Sequence, residues 1–141
     1  MSWEQILSME GAEVGSHGVG HRDLTGLSDR ELTEELNESK QIIEERTGVE
    51  VEHMSLPFGR YDQRVIAAAT KAGYRRLFSL RPGMDEDNVY GRYGVYLSDT
   101  LFDIRNKTGG GMLNRFEKFK LKSIHFFSGG TILAQSLGMA K

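Results

Sequence analysis

The chain of 141 residues has no cysteine, two prolines and one tryptophan. Without cysteine there is no disulfide framework, no thiolate metal site and no sulfur nucleophile, so any metal ion must be held by imidazole and carboxylate. Charge of one sign is also lacking. The net charge of -2 offers no basic field for a phosphate backbone apart from a small cluster at Lys118, Lys120 and Lys122, so nucleic acid is not an expected partner. No apolar run approaches the roughly 18 residues of a membrane span. The opening M-S-W-E-Q-I-L-S-M-E has neither a cationic start nor a long apolar stretch, which predicts a chain that stays where it is made, in the cytoplasm. Apolar residues at 38% and charged residues at 27% give a globular balance, and the length suits one domain over residues 1–141.

What is present is a regular alternation of helix and strand signals. Ser2 with Gln5 suits a capping box opening a short helix that ends at Gly11. Ala12 to His17 reads as a strand running into a loop. Ser28 with Glu31 forms a second capping box, and Leu32, Leu36 and Ile43 recur near helical spacing, predicting a long helix from about 29 to 46 closed by Gly48. Val49 to Leu56 reads as a strand stopped by Pro57-Phe58-Gly59. Asp62 then caps a helix over Gln63 to Ala72, closed by Gly73. Strands are expected at Arg75 to Leu80 and at Arg92 to Leu97. Beyond Thr100 the pattern weakens. Leu113, Phe116, Phe119 and Leu121 suit an amphipathic helix, the triple glycine at 109–111 a flexible join, and residues 98–141 a helical tail. The alternation points to an α/β fold with a parallel sheet and outer helices.

Two stretches carry chemistry. G-S-H-G-V-G-H-R-D, residues 15 to 23, places His17 and His21 in a glycine-rich loop. Two neutral imidazoles on one short loop can chelate a divalent ion; equally, His17 can pack at a strand end while His21 is solvated. S-L-P-F-G-R-Y-D, residues 55 to 62, sets a proline-glycine turn between strand and helix. Its backbone N–H groups can face a cleft and stabilise an oxyanion, or the turn can be an ordinary connection. Arg92 and Tyr96 either line the cleft or belong to a packed strand. His53 reads as structural.

Taken in order, strand, S-H-x-x-x-H, D-L-T-x-L-S-D-x-E-L, long helix, T-G, strand, P-F-G-R-Y-D, helix and A-G-Y resemble the polysaccharide deacetylases, the NodB-homology family of carbohydrate esterases. The resemblance runs from about Trp3 to Phe78 and more weakly through Arg92 to Val95. It implies a partial or distorted (β/α) barrel whose loops at the C-terminal strand ends form the site. It also implies a divalent metal, usually zinc, that serves removal of acetyl groups from an N-acetylated carbohydrate. On that resemblance His17 and His21 are metal ligands, the Phe58 N–H is the oxyanion donor, and Pro57, Gly59 and Arg92 lie near substrate. His125, in Ile124-His125, echoes the motif of the general acid; a partly buried or surface histidine explains it as well.

The departures are specific. The family's T-F-D-D-G type strand, which supplies the base and a third metal ligand, has no counterpart, and no Asp-Asp pair occurs in the sequence. The first residues match the helix after the family's second barrel strand, and Ser55 stands at the position of its turn arginine. The expectation is a domain truncated at its N-terminal side, with an incomplete metal site and impaired hydrolysis. A non-catalytic module that binds sugar on the same scaffold is the alternative. The missing strands also leave a sheet edge open to self-association.

Overall fold

The structure is a computed structural model that describes residues 1–80, 88–95, 97 and 99–108. The readings at residues 109–111, 113–121 and His125, and that of Tyr96, lie outside the described residues. The chain divides into two units, residues 1–91 and 92–141.

The first unit is built on three well-specified helix starts. Helix α1 (Trp3–Leu7) opens with the expected capping box: the Ser2 hydroxyl accepts the Gln5 N–H and the Gln5 side chain accepts the Ser2 N–H. Helix α2 (Asp29–Thr47) repeats the device with Ser28 and Glu31, and Gly48 closes it in the left-handed region. The Asp62 carboxylate accepts the Val65 N–H to start helix α3 (Gln63–Lys71). Each cap satisfies a backbone donor that the first turn leaves orphaned.

Three strands run parallel in the order β1 (His53–Ser55), β2 (Arg76–Ser79), β3 (Val89–Gly91). Ser16 forms an isolated parallel bridge to Met54 on the other side of β1. Met54, Leu77 and Val89, aligned across the sheet, face the core with Leu32 and Leu36 of α2 and Val65 and Ala69 of α3. Each fully buried leucine there contributes roughly 2 kcal/mol of apolar transfer free energy. The result is an open α/β sheet with helices on the covered face, as the alternation implied.

The strands are shorter than the sequence pattern suggests. Only Ser16 of the Ala12–His17 segment is bridged. Of Val49 to Leu56, Val49 and Val51 are bound by α2 side chains, and only from the Glu52 carbonyl, which accepts the Arg75 and Arg76 N–H groups, does the segment meet β2. Glu44 Oε1 accepts the Val51 N–H and Lys40 Nζ donates to the Val51 carbonyl. That amide, then Lys40, hold the Glu44 carboxyl below its usual range. The strand expected at Arg92–Leu97 lies instead at Val89–Gly91. Val89 is the buried residue that pairs with Leu77, whereas Val95 and Leu97 are exposed and give a strand no face to bury.

After β1 the chain makes a 3-10 turn at Pro57–Gly59, with Gly59 at φ 64°. A Cβ on Gly59 would lie 2.7 Å from the Leu80 amide nitrogen, so this position needs glycine for both conformation and space. In the second unit, helix α4 (Leu101–Thr108) starts at Thr100, whose hydroxyl accepts the Asp103 N–H. Lys107 and Asp99 form a buried ion pair at 2.6 Å, and Lys107 also donates to the Gly94 carbonyl.

Candidate functional site

Both chemistry-bearing segments emerge at the C-terminal ends of neighbouring strands, where open parallel sheets place their sites. Ser16 N–H donates to the His53 carbonyl at 2.9 Å and Ser55 N–H donates to the Ser16 carbonyl at 2.8 Å. This ladder fixes His17, the next residue, beside the start of the proline turn. His17 Nδ1 lies 2.6 Å from the Ser55 carbonyl oxygen. A carbonyl can only accept, so Nδ1 carries the proton, and in the neutral ring Nε2 then carries the lone pair that a cation needs.

The structure brings three of the expected residues together. The His17 and His21 rings meet edge to face with centroids 4.8 Å apart, and His21 meets Phe58 in the same way at 4.6 Å. Among the described residues His21 and Phe58 are also two of three non-glycine residues with positive φ, at 50° and 56°. Each such conformation costs about 1 kcal/mol or more and persists only where the surroundings impose it. Two such residues in contact mark where the fold accepts local strain.

Sequence reasoning missed the residues that impose it. Glu35 on α2, 8% exposed, accepts the Gly20 N–H at 2.6 Å. One turn later Ser39 accepts from the buried Ser16 hydroxyl, which itself accepts the Gly18 N–H at 3.2 Å. Tyr74 OH joins Ser39 at 3.1 Å and donates to the Leu36 carbonyl. Asp23 ties the two loops together. Its Oδ2 pairs with Arg60 at 2.9 Å, and its Oδ1 accepts from Thr25 N–H and Oγ1. Arg64 of α3 donates to the Leu27 and Thr25 carbonyls, fixing the stretch between the histidines and α2. The available signal was a carboxylate at 35 flanked by the core residues Leu32 and Leu36.

The remaining candidates divide. In the turn, the Gly59 and Arg60 N–H groups donate to the Leu56 and Pro57 carbonyls, which leaves the Phe58 amide outside the turn's own bonds. Pro57 and Gly59 are buried and shape the turn. Ser55 Oγ is buried with no hydrogen-bond partner among the described residues. Arg92 begins the second unit, and desolvation lowers its pKa. Among the described residues no group of three or more His, Asp or Glu is arranged to hold a metal ion. The histidine pair, with Nδ1 of His17 held by the Ser55 carbonyl, offers a divalent ion two imidazoles at most; the described residues do not supply a third donor.

Comparison with known proteins bears on the family and the fold. The polysaccharide deacetylase family matches residues 2–77. Over 77 residues the chain is 29% identical to YxkH of Bacillus subtilis (strain 168), assigned by name to the polysaccharide deacetylases, covering 55% of this chain and 28% of that protein. The solved structure of BC0361, a polysaccharide deacetylase from Bacillus cereus, superposes with a TM-score of 0.60 at 26% identity, over 67% of this chain and 31% of that one. Streptococcus pyogenes deacetylase PplD shares the fold with a TM-score of 0.70 at 18% identity, over 76% of this chain and 50% of that one. The chain thus spans half or less of the length of these proteins, and its open sheet corresponds to part of their barrel. With the match covering more than half of its residues, this chain belongs to the polysaccharide deacetylase family.

Proposed function

We propose that this chain carries part of the site of a metal-dependent hydrolase that removes acetyl groups from an N-acetylated polysaccharide. The observation that carries the reading is the convergence of His17, His21 and Phe58, with His17 Nδ1 held by the Ser55 carbonyl. His17 and His21 hold a divalent cation, zinc being well suited to imidazole, which when bound supplies Lewis acidity toward an amide carbonyl. The Phe58 N–H, carried on the strained turn, donates to the oxygen that gains charge as the acetyl carbonyl is attacked. Pro57 and Gly59 hold that N–H in place. Ser55 offers its hydroxyl where the family has arginine, a neutral donor in place of a cation.

Among the described residues no carboxylate joins the two histidines as a third ligand, and on that ground slow hydrolysis is the expected behaviour of this chain. A cation without a carboxylate ligand is held more weakly, and a water without a nearby base keeps its proton. The lack of a three-donor cluster among the described residues also favours a second reading, a non-catalytic module that binds the same sugars. Calorimetric titration of Zn²⁺ into the chain and into a His17→Ala, His21→Ala double variant tests the metal reading. Binding at roughly micromolar affinity that the double variant loses is the expected result. Equal binding by both chains refutes the assignment of the ligands. Release of acetate from N-acetylglucosamine oligomers then separates the hydrolase from the module, which binds the oligomers without cleaving them.

A further inference from the structure

We propose that Glu35 is a positioning residue for the histidine pair, the post around which the loop between His17 and His21 is wound; the metal consequence rests on the ligand reading above. Glu35 is a buried carboxylate on the face of α2 that also carries Leu32 and Leu36, where helix packing alone favours an apolar residue. Its Oε1 accepts the Gly20 N–H at 2.6 Å. A Cβ built on Gly18 would lie 2.8 Å from the same oxygen, and one on Gly20 would lie 3.6 Å from Oε2. The carboxylate therefore occupies the space that the loop encloses. Gly18 takes a φ of 81°, at which a side chain is strained, and any Cβ there would displace the Glu35 carboxylate.

Ser39, four residues along the same helix face, secures the other end of the loop through Ser16 and the Gly18 N–H. Between them, residues 35 and 39 hold the backbone on both sides of Val19, which is itself exposed and outside the hydrophobic core. The three-residue path from His17 to His21 is thus shaped by α2, and the ring separation of 4.8 Å follows from it. The charged form of Glu35 suits the task because a carboxylate accepts a stronger hydrogen bond from an amide than a neutral group does.

The test uses the full chain labelled with ¹⁵N and ¹³C, as wild type, Glu35→Met, Glu35→Gln and Glu34→Ala. Met keeps the volume and helix propensity but removes the acceptor. Gln restores a carbonyl oxygen in the same place. Glu34, exposed on the neighbouring face, is the control. The first readout, without metal, is hydrogen exchange at the Gly20 amide together with the ring signals of His17 and His21. Glu35→Met is expected to speed Gly20 exchange about tenfold and to shift both sets of ring signals, Glu35→Gln to recover most of both, and Glu34→Ala to change neither. Unmoved ring signals in Glu35→Met, or a Gln variant that behaves like Met, overturn the proposal. If Glu35→Met does not fold, Glu35→Asp, which draws the carboxylate back by one methylene, is read by the same two signals. The second readout is Zn²⁺ affinity, expected to fall roughly tenfold in Met and to recover in Gln. A wild-type chain that takes no Zn²⁺ ends the ligand reading while leaving the first readout to decide the role of Glu35.

Discussion

The histidine segment and the proline turn meet at one site, yet they are held there differently. The segment from Gly15 to Asp23 is mostly exposed and is fixed by polar groups reaching out from α2, chiefly Glu35 and the Ser39–Ser16 pair. The turn at Pro57–Gly59 is fixed by contact: Pro57 and Gly59 are buried, Gly59 lies against the Leu80 backbone, and Ser79 Oγ donates to the Gly59 carbonyl. Polar anchoring sets a geometry while leaving the loop surface free for a ligand. Steric anchoring is stiffer and suits a backbone N–H that must not move. Metal-ligating side chains and an oxyanion donor call for these two kinds of support.

The comparison breaks most readily at Gly59. Gly59→Ala combines a left-handed backbone with a clash against backbone atoms, and should cost roughly 3 kcal/mol in denaturant unfolding. Gly48→Ala, at φ 70° with nothing within 4 Å, should cost only about 1 kcal/mol. Equal losses at the two sites would remove the case for a contact-held turn. A smaller effect is expected at the joint between the loops. Asp23→Ala removes the Arg60 partner and the acceptor for Thr25, and should cost about 1–2 kcal/mol while shifting the Phe58 amide resonance. An unchanged Phe58 signal would mean that the loops are set independently.

The smallest effect concerns Glu31, which caps α2 and pairs with Arg22 of the histidine segment. The Ser28 hydroxyl, then Arg22, lower its pKa from 4.5 to about 2. A depressed carboxylate stabilises the fold above its unfolded pKa and loses that contribution as pH falls through the folded value. The melting temperature of wild type should therefore exceed that of Glu31→Gln at pH 6, with the gap closing between about pH 4.5 and 2. A gap that stays constant over this range would exclude the carboxylate as its source.

What the sequence made legible follows from how local each signal is. The caps at Ser2, Ser28 and Asp62 depend on residues three apart, and all three formed where expected. The motif order was equally readable, because the spacing of H-x-x-x-H and P-F-G fixes which strand ends carry them. Strand extents were not. Whether Val51 joins a ladder depends on Lys40 and Glu44 from another element, and β3 starts at Val89 because that side chain reaches the core beside Leu77. Glu35 was hidden for a related reason. A glutamate on a helix reads as a solvated charge until the backbone amide that it serves, fifteen residues away, is brought to it.

The central claim is that His17 is held by the Ser55 carbonyl so that Nε2 is presented for ligation. Long-range ¹H–¹⁵N spectra of the histidine rings, recorded above pH 8 with and without Zn²⁺, test it most directly. The account predicts a His17 that carries its proton on Nδ1, with Zn²⁺ shifting Nε2 of His17 and a ring nitrogen of His21 together. A His17 protonated on Nε2, or Zn²⁺ shifts confined to His53 or His125, would contradict it.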